Sequence, residues 1–357
     1  PQPQPCPHLQ PCPHLQPRPQ VLGCRFCTLD LHGKPSLRSW TRLSATAANG
    51  TSDLWLVEPV DWDIGSQIVV APTSWTKEEA ERVTVAAVLD GGYHVRLAVP
   101  LAFTHLGESR FVQGESYDLR AEVGLLSRTV KVQGDDTSDG SQYGATIMMH
   151  SEGHESLTAR LENLEVHRAG QAFRLGRYPI HFHMIGAVKG SYARACSVWR
   201  TFNRAFTIHG VHHLRVGPGN VAYDTMGNTY FIEDAIETKN IIEGNLAVLT
   251  KASNALLSTD QTPASFWITN PDNIVRNNAA AGSANYGFWY KPERVVTGAS
   301  AGTPQAAGVC PQGTPLGEFS GNVAHSNGRY GLRLYDNEDG CLQARPPPPP
   351  PPFPPPP

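Results

Sequence analysis

Residues 220–247 read NVAYDTMGNTYFIEDAIETKNIIEGNLA, and the stretch opens and closes on nearly the same triplet. The Asn-Val-Ala at 220–222 returns as Asn-Leu-Ala at 245–247, as Asn-Ala-Ala at 278–280 and as Asn-Val-Ala at 322–324. Related triplets begin at Leu164 and Cys196, so the starting positions advance by 32, 24, 25, 33 and 44 residues. A recurring unit of about 24 residues, with longer copies that carry a loop, indicates an internal repeat.

This repeat predicts an all-β fold built as a right-handed parallel β-helix. Each coil would be a flat triangle of three short strands, whose backbone N–H and C=O groups stay unpaired until another coil stacks on it. Stacking at roughly 4.8 Å pairs these groups and closes the core. The recurring Asn would stand at a corner, where it tolerates a left-handed backbone and hydrogen-bonds its copies above and below. A β-sandwich with irregular strand spacing is the alternative.

The chain before the repeats shows strand and turn signals without helical periodicity. Residues 82–89 and 93–99, joined by the Asp-Gly-Gly of 90–92, predict a hairpin. The doubled PCPHLQ of residues 5–16 contains soft metal ligands, but its prolines favour an extended, disordered tract. We expect a Pro/Cys-rich segment at 1–28 that is disordered or mispredicted, a smaller β-rich module at 29–140, β-helix repeats at 141–345 and a poly-Pro tail at 346–357.

The composition excludes several classes of function. The 357 residues carry a net charge of −3, which is not the charge of a nucleic-acid-binding domain. No run of 18 or more apolar residues is present, so the sequence predicts no membrane-spanning helix. The first residues lack a charged segment followed by an apolar one, and we expect no signal peptide in this chain.

The seven cysteines are too few and too unevenly placed for a disulfide-dense module. Cys24 and Cys27 have the spacing of half a zinc site, but no second pair follows at finger-like spacing. A bridge from Cys310 to Cys341 is one pairing that the sequence allows. Asn49 begins a glycosylation sequon, which matters only if the chain is exported.

Charge is distributed unevenly along the repeats. No Asp or Glu occurs between Val166 and Tyr223, and acids return at once with Asp224. The acid-free span holds these eight cations and six histidines: Arg168, Arg174, Arg177, Lys189, Arg194, Arg200, Arg204, Arg215, His167, His181, His183, His209, His212 and His213. Because neighbouring segments of a β-helix lie on adjacent coils, we expect a basic, histidine-rich strip beside an acidic one.

His181 and His183, within the RLGRYPIHFH of residues 174–183, lie at the centre of this strip. Their i, i+2 spacing places both rings on one face of a strand. With a carboxylate of the next coil, Asp224 or Asp234, they are candidate ligands of a divalent metal, although the sequence requires no cofactor. The same four residues are the candidate acid/base groups of a glycan-cleaving site.

Five residues are candidate ligands for an anionic glycan: Arg174, Arg177, Arg200, Arg204 and His209. In the opposite interpretation the histidines donate to backbone carbonyls and the arginines pair with acids of the next coil, so that the strip stabilises the stack and binds nothing.

Glu233 and Asp234 are consecutive, and on a strand they would point to opposite faces. They therefore do not resemble the convergent carboxylates of a glycoside hydrolase.

Several long motifs resemble the fibrocystin and fibrocystin-L family. They are GQAFRLGRYPIHFH at 170–183, RTFNRAFTIH at 200–209, the stretch at 220–237 and TPASFWITNPDNIVRNNAAAG at 262–282. The resemblance covers roughly residues 29–340 and implies a large cell-surface protein with this β-helix as an extracellular module. The same architecture is shared by the cell-migration-inducing hyaluronan-binding protein and transmembrane protein 2, which are linked to hyaluronan breakdown.

In this family, sequence like the LDLHG of residues 29–33 follows a G8 domain, so we expect that domain to be missing or truncated here. Ala235 departs from the family, which usually has Gly after Glu-Asp, and this alters the backbone beside the acidic pair. The fibrocystin branch is receptor-like or structural, so the resemblance favours a non-enzymatic recognition and scaffold module.

The resemblance also implies the setting of this module. We expect extracellular glycans or cell-surface proteins as partners, no nucleic acid, and a parent protein that is anchored in the membrane. The alternative function that the resemblance implies is a hyaluronan depolymerase.

Overall fold

The computed structural model of the chain describes residues 20–153, 157–255 and 258–334. In chain order, the first strands are β1 (Val21–Arg25), β2 (Thr28–His32), β3 (Trp40–Arg42), β4 (Asp53–Trp55), β5 (Gln67–Val70), β6 (Glu81–Leu89), β7 (His94–Leu97), β8 (Ser109–Val112), β9 (Glu115–Asp118), β10 (Glu122–Leu125), β11 (Val130–Gln133), β12 (Thr146–His150), β13 (Thr158–Glu162), β14 (Leu164–Ala169) and β15 (Ile180–Ala187).

The strands that follow are β16 (Tyr192–Arg194), β17 (Ser197–Thr201), β18 (Phe206–His212), β19 (Arg215–Val216), β20 (Val221–Met226), β21 (Tyr230–Ile232), β22 (Ile241–Glu243), β23 (Leu246–Lys251), β24 (Ala264–Ile268), β25 (Ile274–Arg276), β26 (Ala279–Ser283), β27 (Tyr286–Tyr290), β28 (Glu318–Ser320), β29 (Val323–His325) and β30 (Tyr330–Leu334). The helical segments are α1 (Ser138–Ser141) and single 3-10 turns at Lys77–Glu79, Asp90–Gly92, Ser258–Gln261, Gly298–Ser300, Pro304–Ala306 and Pro311–Gly313. None of these described helices has the length and apolar content needed to cross a membrane.

Three parallel sheets form the walls of a solenoid. Sheet 1 has the strand order β1-β12-β15-β18-β21-β24-β27-β30, sheet 2 the order β11-β14-β17-β20-β23-β26-β29 and sheet 3 the order β2-β13-β16-β19-β22-β25-β28. Neighbouring strands in each sheet come from successive coils and pair in parallel. This topology confirms the predicted parallel β-helix and excludes the sandwich.

The recurring asparagines stack at one corner, as the repeat predicts. Asn220 donates from Nδ2 to Oδ1 of Asn245 (2.9 Å), Asn245 donates to Asn278 (2.9 Å), and Asn278 donates to Asn322 (3.0 Å). The residue before each asparagine, not the asparagine itself, has the left-handed backbone: Gly219 (φ 82°), Gly244 (φ 61°), Asn277 (φ 55°) and Gly321 (φ 60°). One residue therefore turns the chain at each corner and the next one links the coils.

Side chains of sheet 1 alternate between the core and the outer face. The inward rings of Phe206, Tyr230, Phe266 and Phe288 stack on one another at centroid distances of 4.8, 4.7 and 4.7 Å and lie within 11° of parallel. Because successive residues of a strand point to opposite sides, the residues directly before and after each of these rings in the sequence face outward. The stacked core thus fixes which side chains of sheet 1 can form a site.

A smaller antiparallel module accompanies the solenoid, as expected. It consists of a sheet of order β3-β10-β5-β6-β7-β4 and the β8–β9 hairpin. Its own core includes the fully buried Leu54 and Ile68. A second apolar cluster packs Val69 of the module against Val221 and Leu246 of sheet 2. The two parts of the molecule therefore share a buried interface.

Strand pairing shows that strands on both sides of this module belong to the solenoid. β1 and β2 pair in parallel with β12 and β13, and β11 pairs with β14. Residues 21–32 and 130–133 thus belong to the stack, whereas the sequence placed them in the Pro/Cys-rich segment and in the separate module at 29–140. These strands carry no copy of the Asn triplet, so the repeat gave no signal for them. Residues 1–19 and the poly-Pro tail lie outside the described residues.

Two cysteines of the first coil are joined. Cys24 and Cys27 form a disulfide between β1 and β2, so this pair is not half of a zinc site. Cys196 is a buried free thiol. The pairing of Cys310 with Cys341 stays a prediction, because Cys341 lies outside the described residues.

Candidate functional site

The outer face of sheet 1 collects imidazole rings from successive coils. Strand pairing sets His150, His183 and His209 side by side on β12, β15 and β18. His181 lies two residues before His183, and the centroids of their rings are 4.8 Å apart. Both rings therefore lie on one face, as their spacing predicts.

Three of these residues, His181, His183 and His209, form what we call the histidine cluster. One nitrogen of each lies within 4.8 Å of the nitrogens of the other two. Nδ1 of His183 is 3.0 Å from Nδ1 of His209, so one of the two carries the proton between them. His181 donates from Nδ1 to the carbonyl oxygen of Gly176 (2.9 Å), and its buried Nε2 has no hydrogen-bond partner among the described residues.

Two consecutive carboxyl groups contact His209 from the next coil. Nε2 of His209 donates to Oδ2 of Asp234 (2.7 Å), and Nδ1 of His209 is 3.3 Å from Oε2 of Glu233. The sequence-based prediction that Glu233 and Asp234 point to opposite faces is wrong. β21 ends at Ile232, and the chain then turns with a left-handed φ of 71° at Ala235. Strand alternation ends with the strand, so both side chains converge on one ring.

Glu237 lies fully buried behind this pair. Its Oε1 accepts hydrogen bonds from the backbone N–H groups of Gly210 (2.7 Å) and Asp234 (3.1 Å). Burial raises the pKa of Glu237 to about 7. The carboxyl group thus holds the turn that presents Glu233 and Asp234.

Burial sets the charge of the histidine cluster. It lowers the pKa of His183 to about 4, with a further contribution from His209, and it lowers the pKa of His181 well below the usual value. Burial also opposes a charge on His209, but the hydrogen bond to Asp234 and the nearby Glu233 outweigh it and raise the pKa of His209. His181 and His183 are therefore neutral at pH 7, and each keeps a nitrogen lone pair.

The two carboxyl groups differ in the direction of their pKa shifts. Burial raises the pKa of Glu233, and His209 and Arg204 offset this only in part. Burial acts in the same direction on Asp234, but the hydrogen bond from His209 lowers the pKa of Asp234 overall. An ionised carboxylate thus lies next to a carboxyl group whose charge is disfavoured.

A turn from a later loop covers Asp234. The backbone N–H of Ser300 donates to Oδ2 of Asp234 (2.8 Å), and the N–H of Thr297 donates to the Asp234 carbonyl oxygen (2.9 Å). Gly298 has a left-handed φ of 59°, and a methyl group at this position would overlap Oδ1 of Asp234. The close approach of this turn keeps Asp234 oriented toward His209.

Arg204 is a structural residue rather than the glycan ligand that the sequence predicted. Its guanidinium is fully buried and donates to both carboxylate oxygens of Asp260, at 3.1 and 2.8 Å. It also lies 3.8 Å from the centre of the Phe231 ring and donates to the hydroxyl of Tyr178 (3.3 Å). Because Asp260 compensates the charge inside the protein, Arg204 is not available to a ligand.

Two further candidates belong to sheet 2 and not to the outer face of sheet 1. Arg200 on β17 pairs with Asp139 (3.0 Å), and Asp224 on β20 pairs with Lys251. Of the two carboxylates proposed to join the histidines, the structure brings only Asp234 to them. His209, proposed as a glycan ligand, is 7% exposed and lies inside the cluster.

Residues 173–177, between β14 and β15, form an exposed loop that we call the arginine loop. Phe173 is 74% exposed and Leu175 is 69% exposed. Arg174 is exposed, with its guanidinium carbon 5.9 Å from the ring centre of Tyr143, and Arg177 is half-buried. Within the described parts of the chain, neither arginine has a carboxylate at ion-pair distance.

The arginine loop rests on the histidine cluster. Gly176 accepts the hydrogen bond from His181, and the ring of Tyr178, which follows the loop, contacts the His181 ring at 4.7 Å in an edge-on arrangement. The N–H of Phe173 donates to the carbonyl oxygen of Ala255 (3.0 Å), which fixes the start of the loop. The exposed arginines and the buried histidines thus form adjoining parts of one surface.

Sequence reasoning missed four residues that shape the site. Asp260 is 56 positions from Arg204, and no motif links the two residues. The sequence shows Glu237 as one of several closely spaced acids, but it does not show that this residue is buried. Gly298 and Ser300 lie in a loop without a repeat triplet, and only the fold brings this loop onto Asp234.

Comparison with known proteins gives consistent matches. A family model described as the CEMIP β-helix matches residues 142–332. The chain is 40% identical to fibrocystin-L of Mus musculus and 39% identical to fibrocystin-L of Homo sapiens, each over 92% of this chain and 8% of the relative. It is 34% identical to the cell surface hyaluronidase CEMIP2 of Homo sapiens, over 76% of this chain and 22% of that protein. The chain therefore spans a small share of each relative.

Proposed function

This chain belongs to the CEMIP β-helix family, and from that premise we propose that it is an extracellular recognition and scaffold module which binds an anionic glycan. The 39–40% identity to fibrocystin-L confirms the family resemblance of the sequence motifs. In this proposal the binding surface is the arginine loop together with the adjoining outer face of sheet 1. The parent protein would present the module at the cell surface, to glycans or to other cell-surface proteins.

The arginine loop is the observation that carries the proposal. Arg174 and Arg177 have no ion-pair partner in the described parts of the chain, and Phe173 and Leu175 beside them are exposed. A polymer with uronic-acid units offers carboxylates to the guanidinium groups and the apolar faces of its sugar rings to the phenylalanine. An exposed apolar patch next to unpaired cations is the chemistry that such a ligand requires.

The other arginines proposed as glycan ligands are already paired with acids of the protein. Arg204 is buried against Asp260, and Arg200 is paired with Asp139. Among the arginines of the predicted basic strip, Arg174 and Arg177 are therefore the two that can meet a large ligand without breaking an ion pair with a described residue. This narrows the proposed contact to one five-residue segment.

Three further observations support an extracellular location. The disulfide between Cys24 and Cys27 is stable in an oxidising compartment. Asn49 of the sequon is exposed, so an oligosaccharide can be attached there without displacing the core. The relative CEMIP2 is named for the cell surface.

Retention on a hyaluronan column tests the proposal. The wild-type chain should be retained at low salt and released as salt rises, because exposed charges are screened. An Arg174→Ala/Arg177→Ala variant should pass through at low salt. A control variant, Arg160→Ala/Arg215→Ala, removes two exposed arginines of sheet 3 and should behave like wild type. Co-elution of the two double variants, or no retention of wild type, would refute the proposal.

Cleavage of the bound polymer is a second candidate function. It is favoured by the contact of His209 with both Glu233 and Asp234, and a relative is named a hyaluronidase. The test is the size distribution of high-molecular-weight hyaluronan after incubation with folded protein, with and without a chelator. Shorter polymer with wild type but not with Asp234→Asn would assign a depolymerase activity. An unchanged distribution would eliminate it and leave the binding role.

A further inference from the structure

We propose that the histidine cluster and Glu233 form a binding site for a divalent transition-metal ion such as Zn²⁺. The ligand atoms would be Nε2 of His181, Nδ1 of His183, Nδ1 of His209 and Oε2 of Glu233, and the metal would displace the proton that lies between the two Nδ1 atoms. The site goes beyond glycan binding by the arginine loop and does not depend on it.

Two atoms of the site are buried without a hydrogen-bond partner among the described residues. They are Nε2 of His181 and Oε2 of Glu233. The Nδ1–H of His181 is used by the carbonyl oxygen of Gly176, so the Nε2 of the neutral ring presents a lone pair and has no proton to donate. Buried polar atoms are rarely left unpaired, and two such acceptors beside the same His209 ring point to a cation.

The spacing of the ligand atoms fits tetrahedral coordination. Bonds of about 2.05 Å to Zn²⁺ place the ligand atoms of a tetrahedron about 3.3 Å apart. Nδ1 of His209 lies 3.0 Å from Nδ1 of His183 and 3.3 Å from Oε2 of Glu233. One ring nitrogen of each of the three histidines lies within 4.8 Å of those of the other two, so small side-chain shifts would bring them to coordination distance.

The surroundings of the cluster are those of a metal site. Metal-binding histidines usually donate their other ring N–H to a carboxylate or a backbone carbonyl, which fixes the tautomer. His209 donates to Asp234 and its remaining Nδ1 lies 3.0 Å from His183, while His181 donates to Gly176 and its remaining Nε2 is buried without a partner among the described residues. Asp234 is held in turn by the N–H of Ser300.

The ligand set also selects the class of metal. Three imidazoles with one carboxylate suit Zn²⁺, Co²⁺ or Ni²⁺, whereas Ca²⁺ and Mg²⁺ prefer oxygen ligands. His150 is outside the set although its ring stacks on His183 at 4.9 Å, because its Nδ1 donates to the carbonyl oxygen of His183 (3.1 Å) and its Nε2 lies 3.7 Å from Oε1 of Glu152. It is therefore a matched control for loss of a neighbouring imidazole.

Metal titration of the full chain after removal of metal with a chelator tests the site. The number of Zn²⁺ ions bound per chain should be the same in wild type and His150→Ala and lower by one in His183→Ala. Glu233→Gln keeps the shape of the side chain and should weaken Zn²⁺ binding at least about tenfold. Co²⁺ at this site should give visible absorption without the thiolate charge-transfer bands that binding to Cys6 or Cys12 would produce.

Equal amounts of Zn²⁺ bound to wild type and to His183→Ala would overturn the proposal. Thermal unfolding in the presence of chelator shows that each variant is folded, and Zn²⁺ should then raise the unfolding temperature of wild type and His150→Ala only. Hyaluronan retention of chelator-treated wild type separates this proposal from the proposed function. Retention without any bound Zn²⁺ in the titration would remove the metal site and leave glycan binding.

Discussion

Nε2 of His325 lies 2.9 Å from Oε2 of Glu122, and this contact joins sheet 2 of the solenoid to strand β10 of the antiparallel module. Glu122 is 1% exposed and is also bound by Arg42 at 3.2 Å. Burial opposes both charges, but the opposite charge of the partner raises the pKa of His325 and lowers the pKa of Glu122. Protonation of one histidine therefore contributes to the interface between the solenoid and the antiparallel module.

We predict that this pair makes stability depend on pH. The folded pKa of His325 is above 6.5, so its contribution is complete below about pH 6.5 and is lost as the pH rises through the folded value. The folded pKa of Glu122 is below 4.5, so its contribution is present above about pH 4.5 and is lost as the pH falls through the folded value.

Urea unfolding at a series of pH values measures this effect. The difference in unfolding free energy between wild type and His325→Gln should be largest between about pH 4.5 and 6.5 and should shrink toward higher pH. His213→Gln, which alters an exposed histidine, should leave the profile unchanged. A wild-type minus His325→Gln difference that is the same at every pH would contradict the prediction.

Arg204 should be among the residues that matter most for stability. Arg204→Met leaves Asp260, which is 1% exposed, buried without its cation, and should lower the unfolding free energy by about 3–5 kcal/mol. Arg200→Met removes an exposed pair with Asp139 and should cost less than about 1 kcal/mol. Adding Asp260→Asn to Arg204→Met should restore part of the loss in urea unfolding. Equal losses for the two single variants would show that the buried pair is not structural.

The asparagine ladder should hold the coils together through its side chains. Asn245 donates to the carbonyl oxygen of Val216 (3.0 Å) and to Asn278, and it accepts from Asn220. Asn245→Ala leaves these buried groups unpaired and should cost at least about 1–3 kcal/mol in urea unfolding. Asn49→Ala, at an exposed position, should change stability little. A ladder variant as stable as the Asn49 variant would argue against this role.

Gly298 should tolerate substitution by alanine less well than Gly302, a glycine with a similar left-handed backbone. Gly298 and Gly302 both have a left-handed φ, at 59° and 75°, so Gly→Ala strains the backbone at each. Only at Gly298 does the new methyl group overlap Asp234, while nothing lies within 4 Å at Gly302. Gly298→Ala should therefore be less stable than Gly302→Ala by about 1–3 kcal/mol in thermal or urea unfolding. Similar losses for both would show that the turn does not pack on Asp234.

The repeat made the fold predictable because its signal is local and recurs. The Asn triplets mark one corner of successive coils, and the hairpin of β6 and β7 follows from the Asp-Gly-Gly turn between them. The i, i+2 spacing of His181 and His183 likewise fixed their common face, because alternation is a property of any strand. These inferences needed only short-range geometry.

The remainder of the site depends on contacts between distant segments or on where strands end. Glu233 and Asp234 converge because β21 stops at Ile232, and no residue type marks that end. The sequence predicted Arg204 as a glycan ligand because its true partner, Asp260, lies on a longer coil and outside the group of acids that follows Tyr223. Net charge along a sequence does not distinguish an exposed arginine from one that is buried in a pair.

Hydrogen–deuterium exchange of the chain with and without hyaluronan tests the central claim most directly, because it locates the binding surface. Glycan binding should slow exchange in peptides that cover the arginine loop at residues 173–177. The β8–β9 hairpin, whose residues are all exposed, should exchange at the same rate with and without the polymer. If saturating hyaluronan leaves residues 173–177 unchanged, or protects the hairpin instead, the arginine loop is not the binding surface.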